Sequence, residues 1–72
     1  MNWTMEVVGA GLMSGYRIEG DSANELREEL RLGRFPAPIA SEHLLIRDPD
    51  GRAVMRFDGD EGWRSKWREL DD

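Results

Sequence analysis

The chain has 72 residues and a net charge of −5, from ten basic and fifteen acidic side chains, with one histidine and no cysteine. This length fits one small domain, the missing cysteines exclude a disulfide, and the acidic balance disfavours nucleic acid, whose phosphates require a basic face. No apolar stretch approaches the roughly 20 residues that span a bilayer, and no secretory signal pattern begins the chain. We therefore expect a cytoplasmic domain with neither nucleic-acid nor membrane partners.

Two short segments near the start alternate between apolar and polar side chains, which is the pattern of half-buried strands. They span residues 3–8 and 16–19. The segment between them contains Gly9, Gly11 and Gly15, and glycine enters turns without steric cost. The pattern predicts a β-hairpin, whose inward side chains are Trp3, Met5, Val7, Tyr16 and Ile18.

The same glycines raise the alternative of a dinucleotide-binding loop. That fingerprint requires G-x-G-x-x-G after a strand and before a helix. Here the spacing is G-x-G-x-x-x-G, and "YRIEGD" continues as a strand. We interpret the stretch as a hairpin loop, predict no cofactor, and expect Leu12 and Met13 at the loop tip, where a partner could contact them.

Residues 23–32 are predicted to form a helix. Ser22 followed by Glu25 is a capping box, and Gly33 stands where a C-terminal cap is expected. Phe35 can then pack back over the last turn. The apolar stripe of this helix consists of Ala23, Leu26 and Leu30.

A second hairpin is predicted over residues 43–57, around the turn sequence "DPDG" with Gly51 in a left-handed conformation. If Asp48 faces Arg52, Leu45 faces Met55 and His43 faces Phe57, on the same face of the sheet. The expected core side chains of this hairpin are Leu45, Ala53, Met55 and Phe57. The opposite face would carry Leu44, Ile46 and Val54, which need cover from the tail or another chain.

The tail is ambiguous between helix and strand. Trp63, Trp67 and Leu70 have helical spacing, residues 63–68 also alternate as a strand would, and the acidic pair Asp60 and Glu61 favours a short helix.

The tail sequence "WRSKWR" interleaves aromatic and basic residues as single-strand nucleic-acid surfaces do. Six acidic and three basic residues in 58–72 oppose that interpretation. "DPDG" and "DGDEG" lack the ligand spacing of a calcium loop and are interpreted as turns.

These elements predict an α+β fold over residues 1–72, in the order β-β-α-β-β. One helix packs on a face of a small antiparallel sheet, followed by a short C-terminal Trp-bearing helix or strand. No catalytic set, metal site or cofactor motif emerges from the sequence. We therefore expect a non-catalytic protein-interaction module, such as an inhibitor or immunity-type protein that occupies a larger target.

Small acidic proteins of phages and toxin–immunity loci, anti-CRISPR inhibitors among them, share this size and charge, which is an analogy of class without a motif. One alternative is a self-associating structural domain, a homodimer. Another is a small ligand-binding protein or enzyme that uses His43 with nearby carboxylates, which requires a concave pocket at His43. Trp and Arg dominate binding hot spots. The predicted partner-contact residues are Trp63, Trp67, Arg64, Arg68, Leu44, Ile46, Val54, Leu12 and Met13.

Overall fold

The computed structural model describes residues 2–70 and confirms the α+β class. The five strands of this range form one antiparallel sheet in the order β2-β1-β3-β4-β5. The ambiguous tail contains both predicted alternatives, a 3₁₀ helix followed by a strand. The elements are β1 Trp3–Gly9, β2 Arg17–Gly20, α1 Ala23–Arg31, β3 Glu42–Arg47, β4 Ala53–Asp58, the 3₁₀ helix Gly59–Arg64 and β5 Trp67–Glu69.

Helix α1 forms where its capping residues predicted it. The Ser22 hydroxyl accepts the N–H of Glu25 at 3.1 Å, and the Glu25 carboxylate accepts the N–H of Asp21 at 3.3 Å. Gly33 follows the helix with φ of +77°, a conformation that a side chain disfavours. The helix therefore begins and ends through local signals, and its packing is anchored by Leu26, which is fully buried.

The core lies between α1 and one face of the sheet. Met5 and Val7 of β1 are buried there as predicted, beside Leu26 and Phe35. Tyr16, predicted in the core, lies just before the edge strand β2 and remains 45% exposed. Its ring packs against Phe35, with centroids 5.3 Å apart. Tyr16 therefore borders the core, because no element beyond the sheet edge covers its outer side.

The second hairpin has the predicted turn but not the predicted register. Gly51 has φ of +86°, and the Asp48 carboxylate accepts the N–H groups of Asp50 and Arg52, each at 3.0 Å. Arg47 faces Ala53 as expected. Beyond that pair the register shifts by one residue, so that Ile46 faces Met55 and Leu44 faces Phe57. A β-bulge at Val54 accounts for the shift.

The bulge reverses the faces predicted for β3. Leu44 and Ile46, predicted on an uncovered face, are fully buried in the core with Leu26. Leu45, predicted in the core, lies on the opposite face between Glu6 and Arg56. Because side chains alternate across a strand, a slip of one residue exchanges every side chain between the two faces.

The single helix covers only part of its face of the sheet. It packs against β1 and β2, whereas β4 and β5 lie at the far side of the sheet. Phe57 and Trp67, which face each other across β4 and β5, are consequently only half-buried. A groove therefore remains between α1 and the β4–β5 pair.

Candidate functional site

The exposed large apolar side chains of residues 2–70 all lie at one end of the sheet. Strands β1 and β4 end there, and β2, β3 and β5 begin there, because every pairing is antiparallel. We call this the apical end and define it as residues 10–16, 32–41 and 59–66. The exposed apolar residues are Leu12, Met13, Tyr16, Leu32, Ile39 and Trp63. An apolar surface confined to one end is typical of a contact site.

Leu12 and Trp63 are the most exposed members of this set. Leu12 is fully exposed and Trp63 is 92% exposed, so neither contributes to the core. The guanidinium of Arg64 lies over the Trp63 ring, 5.9 Å from its centroid. Ile39 is 56% exposed in the extended segment before β3. These side chains project into solvent from three separate segments of the chain.

The apical loops are held together by close backbone packing. A Cβ at Gly9 would overlap the carbonyl oxygen of Ser41, and one at Gly59 would overlap the carbonyl oxygen of Ile39. A Cβ at Gly11 would collide with the carboxylate of Glu42. Gly9 and Gly11 therefore allow the first loop to approach the start of β3 closely, which fixes the position of the loop against it.

Glu42 is a buried carboxylate inside this packing. It is 5% exposed, and its Oε1 accepts the N–H of Ile39 at 3.0 Å. Its Oε2 is buried against Gly11 without a hydrogen-bond partner. A carboxylate at this position repels phosphate, so the local electrostatics oppose a dinucleotide beside the glycine-rich loop.

Leu12 and Met13 are carried by an ordered turn. The Ser14 hydroxyl donates to the Gly9 carbonyl at 2.6 Å, and the N–H of Gly15 donates to the Val7 carbonyl at 2.7 Å. These bonds close the loop on both sides of its tip. The tip side chains are therefore presented by a fixed backbone, which reduces the entropy lost on binding.

The face of the sheet opposite α1 carries a charged cluster. Asp58 is 7% exposed, its Oδ1 accepts from Arg56 Nε at 2.6 Å, and its Oδ2 accepts from Arg68. The hydrogen bond from Arg56 holds the pKa of the Asp58 carboxyl below its usual value. Arg56 and Arg68 face each other across β4 and β5, and like charges in that position repel. Asp58 offsets this repulsion, and Arg68, a predicted partner contact, takes part in the cluster.

His43 lies beside this cluster, opposite Asp58 in the β3–β4 pair. It is half-buried, and burial, followed by the charge of Arg56, lowers its pKa. Both carboxylate oxygens of Asp58 are already engaged by arginines, so Asp58 is poorly placed to orient His43 as a general base. Among residues 2–70 no three His, Cys, Asp or Glu side chains are grouped to hold a metal ion.

The groove between α1 and the β4–β5 pair contains two clefts on the helix side of the sheet. The first has a volume of about 660 Å³ and the second about 390 Å³, and Arg27 lines both. The first is floored by Phe57 and Trp67, whose ring centroids are 5.2 Å apart. The second is lined by Val54 among others. His43 lines neither cleft.

The structure divides the predicted contact residues among several places. Leu12, Met13, Trp63 and Arg64 lie at the apical end, Val54 and Trp67 line the groove, and Arg68 lies on the open face. Leu44 and Ile46 are inaccessible, so their prediction as contacts was wrong. Ile39 was missed, although it is the largest apolar side chain in the proline-bordered segment "PAPIA".

Compared with protein-family models, with curated proteins and with solved structures, the chain matches none. The helices within residues 2–70 lack the length and apolar character needed to cross a bilayer.

Proposed function

We propose that the chain is a non-catalytic protein-interaction module that docks through its apical end on a larger protein. It acts as an inhibitor or immunity-type protein, by occupying its target. The observation that carries the proposal is the exposure of Leu12, Ile39 and Trp63 on three loops that close backbone packing fixes together. Preorganised apolar side chains around an exposed tryptophan are favourable binding hot spots.

The charge distribution supports a basic target. Residues 10–16 carry no charged side chain, and the rest of the apical end carries three basic and two acidic ones, whereas the whole chain has a net charge of −5. The uncharged loop avoids the desolvation of charges where Leu12 would meet a partner. The acidic remainder accelerates encounter with a basic surface through long-range attraction. The apical end thus supplies affinity, and the net charge supplies steering.

Self-association through the same surface is the second candidate. The uncharged apolar loop of residues 10–16 is the part of an acidic molecule where two copies meet with the least repulsion. The sheet edges are less suited to self-pairing, because β2 and β5 have only four and three residues and carry charged side chains. A homodimer would therefore form by apical ends meeting across a two-fold axis.

The test compares the wild-type chain with Trp63→Ser and Leu12→Ser as baits in affinity capture. Asp50→Ser, in the turn at the opposite end of the sheet, is the control. A captured protein is then purified, and its affinity and activity are measured with each variant. We expect one-to-one binding that inhibits the target, more than tenfold weaker for Trp63→Ser, and unchanged for Asp50→Ser.

Two outcomes would contradict the proposal. In the first, the apical variants and Asp50→Ser bind the purified target with equal affinity. In the second, sedimentation of the isolated chain gives a stable dimer that Trp63→Ser dissociates. That second result would assign the apical end to self-association.

A further inference from the structure

The groove between α1 and β5 has the features of a ligand site. It adjoins the apical end, which contributes Ala37, Ser65 and Lys66 to its lining. Its first cleft, about 660 Å³, lies within the range of about 300–1,000 Å³ usual for small-molecule sites. The apolar lining comes from three elements, since Leu30 belongs to α1, Phe57 to β4 and Trp67 to β5. The half-covered sheet therefore leaves an apolar concavity that an apolar chain or ring can fill.

The rim of this cleft is basic although the protein is acidic. Arg27, Arg31 and Lys66 line it together with one acid, Glu28, which gives 3 − 1 = +2 within a chain of net −5. Arg31 is bound to Glu28, with Nε to Oε1 at 2.7 Å. Arg27 donates only to the neutral side-chain amide of Asn24. Lys66 has no ion pair among residues 2–70, so two cations of the rim are uncompensated.

The two clefts differ in charge, so the two ends of the groove are not equivalent for a charged ligand. The second cleft continues past Arg27 with about 390 Å³ and is lined by Trp3, Val54 and Leu70. It also contains Glu69, a carboxylate that repels an anion. A ligand with one negative head therefore places that head by Lys66 and Arg27 and directs its apolar part toward the second cleft.

We propose that this groove binds an amphipathic carboxylic acid, with the carboxylate between Arg27 and Lys66 and the apolar chain on Phe57 and Trp67. Charge complementarity selects this occupant, because a cationic amphiphile would meet the basic rim unfavourably. The net charge of −5 repels a polyanion such as nucleic acid. The exposed side chains that carry the docking proposal, Leu12, Ile39 and Trp63, do not line this groove, so the two proposals are tested independently.

The probe is dodecanoate, titrated by calorimetry into the full chain below the concentration at which it forms micelles. Dodecyltrimethylammonium is the matched probe with the same chain and opposite charge. We expect saturable one-to-one binding of dodecanoate and at least tenfold weaker binding of the cation. Arg27→Met and Lys66→Met keep an apolar stem and remove the charge, so each should weaken dodecanoate binding about three- to tenfold.

Two further variants separate the groove from the rest of the protein. Arg17→Met makes the same change of net charge on β2, away from the groove, and should leave the affinity unchanged. Ala37→Trp, at an exposed position of the cleft wall, should fill the cleft and abolish binding while the fold remains intact by circular dichroism. The proposal would be overturned if both probes bound with equal affinity or if dodecanoate did not saturate. It would also be overturned if Arg17→Met lost as much dodecanoate affinity as Lys66→Met, or if Ala37→Trp bound dodecanoate fully.

Discussion

At the basal end of the sheet, opposite the apical end, the DPDG turn requires Gly51 for its backbone angle, and open space surrounds that glycine. At the apical end, Gly59 is required because the carbonyl of Ile39 lies against it. The first requirement is conformational and local. The second is steric and joins segments distant in sequence. The apical loops are therefore positioned by backbone contacts with one another, which leaves side chains such as Leu12 and Trp63 exposed.

The two ends also differ in what they bury. Where β3 and β4 meet the apical end, the carboxylates of Glu42 and Asp58 are buried, whereas Leu12 and Trp63 of the apical end are exposed. At the basal end, Asp48 lies in a turn and bonds local N–H groups, as turn residues ordinarily do. Folding stability alone favours burial of apolar rather than charged groups. The arrangement at the apical end departs from this tendency, which is consistent with the contact surface proposed above.

The largest effect that separates the two ends is expected for Gly59→Ala. The new methyl group meets a backbone carbonyl that no rotamer change can move, so we expect a loss of about 3 kcal/mol in unfolding free energy. Gly51→Ala is the matched basal variant and should lose about 1 kcal/mol, from the left-handed angle alone. Denaturant unfolding measures both values. Equal losses would mean that the apical loops yield to the methyl group, which contradicts the fixed packing.

Asp58→Asn tests the charged cluster near the apical end. The amide keeps the shape of the carboxylate but leaves Arg56 and Arg68 facing each other without a counter-charge. Since the two arginine side chains are 40% and 52% exposed, solvent screens part of this repulsion. We expect a loss of about 1–2 kcal/mol at pH 7, measured by denaturant unfolding. Arg56→Lys, which keeps the charge but loses the guanidinium geometry, should lose less.

The contribution of Asp58 to the free energy of unfolding should depend on pH. The folded-state pKa of Asp58 is lowered, so its stabilising effect is complete above its ordinary value near 3.8 and is lost as pH falls through the folded value. The difference between wild type and Asp58→Asn should therefore shrink below about pH 4, where Asp58 takes up its proton. His43 lies opposite Asp58, whose charge favours the protonated imidazole, so the same difference should first widen as pH falls below about 6.5. Its folded-state pKa is also lowered, so the unfolded chain takes up its proton first. A difference that still grows below about pH 4 would contradict the role given to Asp58.

A smaller effect is expected at the basal end, where α1 begins. Ser22→Ala removes the hydroxyl that accepts the Glu25 N–H and should lower the unfolding free energy by about 1 kcal/mol. Ser22→Gly should lower it by only a few tenths, because glycine caps adequately without a side-chain bond. Thermal or denaturant unfolding distinguishes the two variants. Equal losses for both would show that the cap bond contributes little.

The elements that the sequence predicted correctly depend on local signals. Ser22 and Gly33 bound α1, and Asp48 with Gly51 defines the second turn, through bonds and angles within a few residues. The faces of β3 could not be derived in this way, because apolar residues occupy both of its faces. The choice follows from β1, whose Met5 and Val7 face Ile46 and Leu44. That pairing joins segments about 40 residues apart, and no local pattern indicates it.

The candidate site was predicted in its parts but not in its assembly. Leu12, Met13 and Trp63 were expected at the surface, from a loop tip and a Trp-bearing tail. Their location at one end depends on the strand order, which brings β1 next to β3. The groove depends on how far one helix extends across five strands. Residue spacing along the chain indicates neither the strand order nor the extent of the helix over the sheet. The contributions of Ile39, Arg27 and Lys66 therefore become visible only in the three-dimensional structure.

The smallest change in stability is expected for Trp63→Ser. This variant therefore distinguishes best between a residue needed for folding and a residue available for binding. Trp63 is 92% exposed, and the guanidinium of Arg64 lies over its ring. Its removal should therefore change the unfolding free energy by less than about 0.5 kcal/mol. Trp67→Ser is the matched variant in β5, where the ring packs on Phe57, and should lose about 2 kcal/mol or more. If Trp63→Ser destabilised the fold as strongly as Trp67→Ser, Trp63 would be a structural residue. Its exposure would then no longer support a contact surface at the apical end.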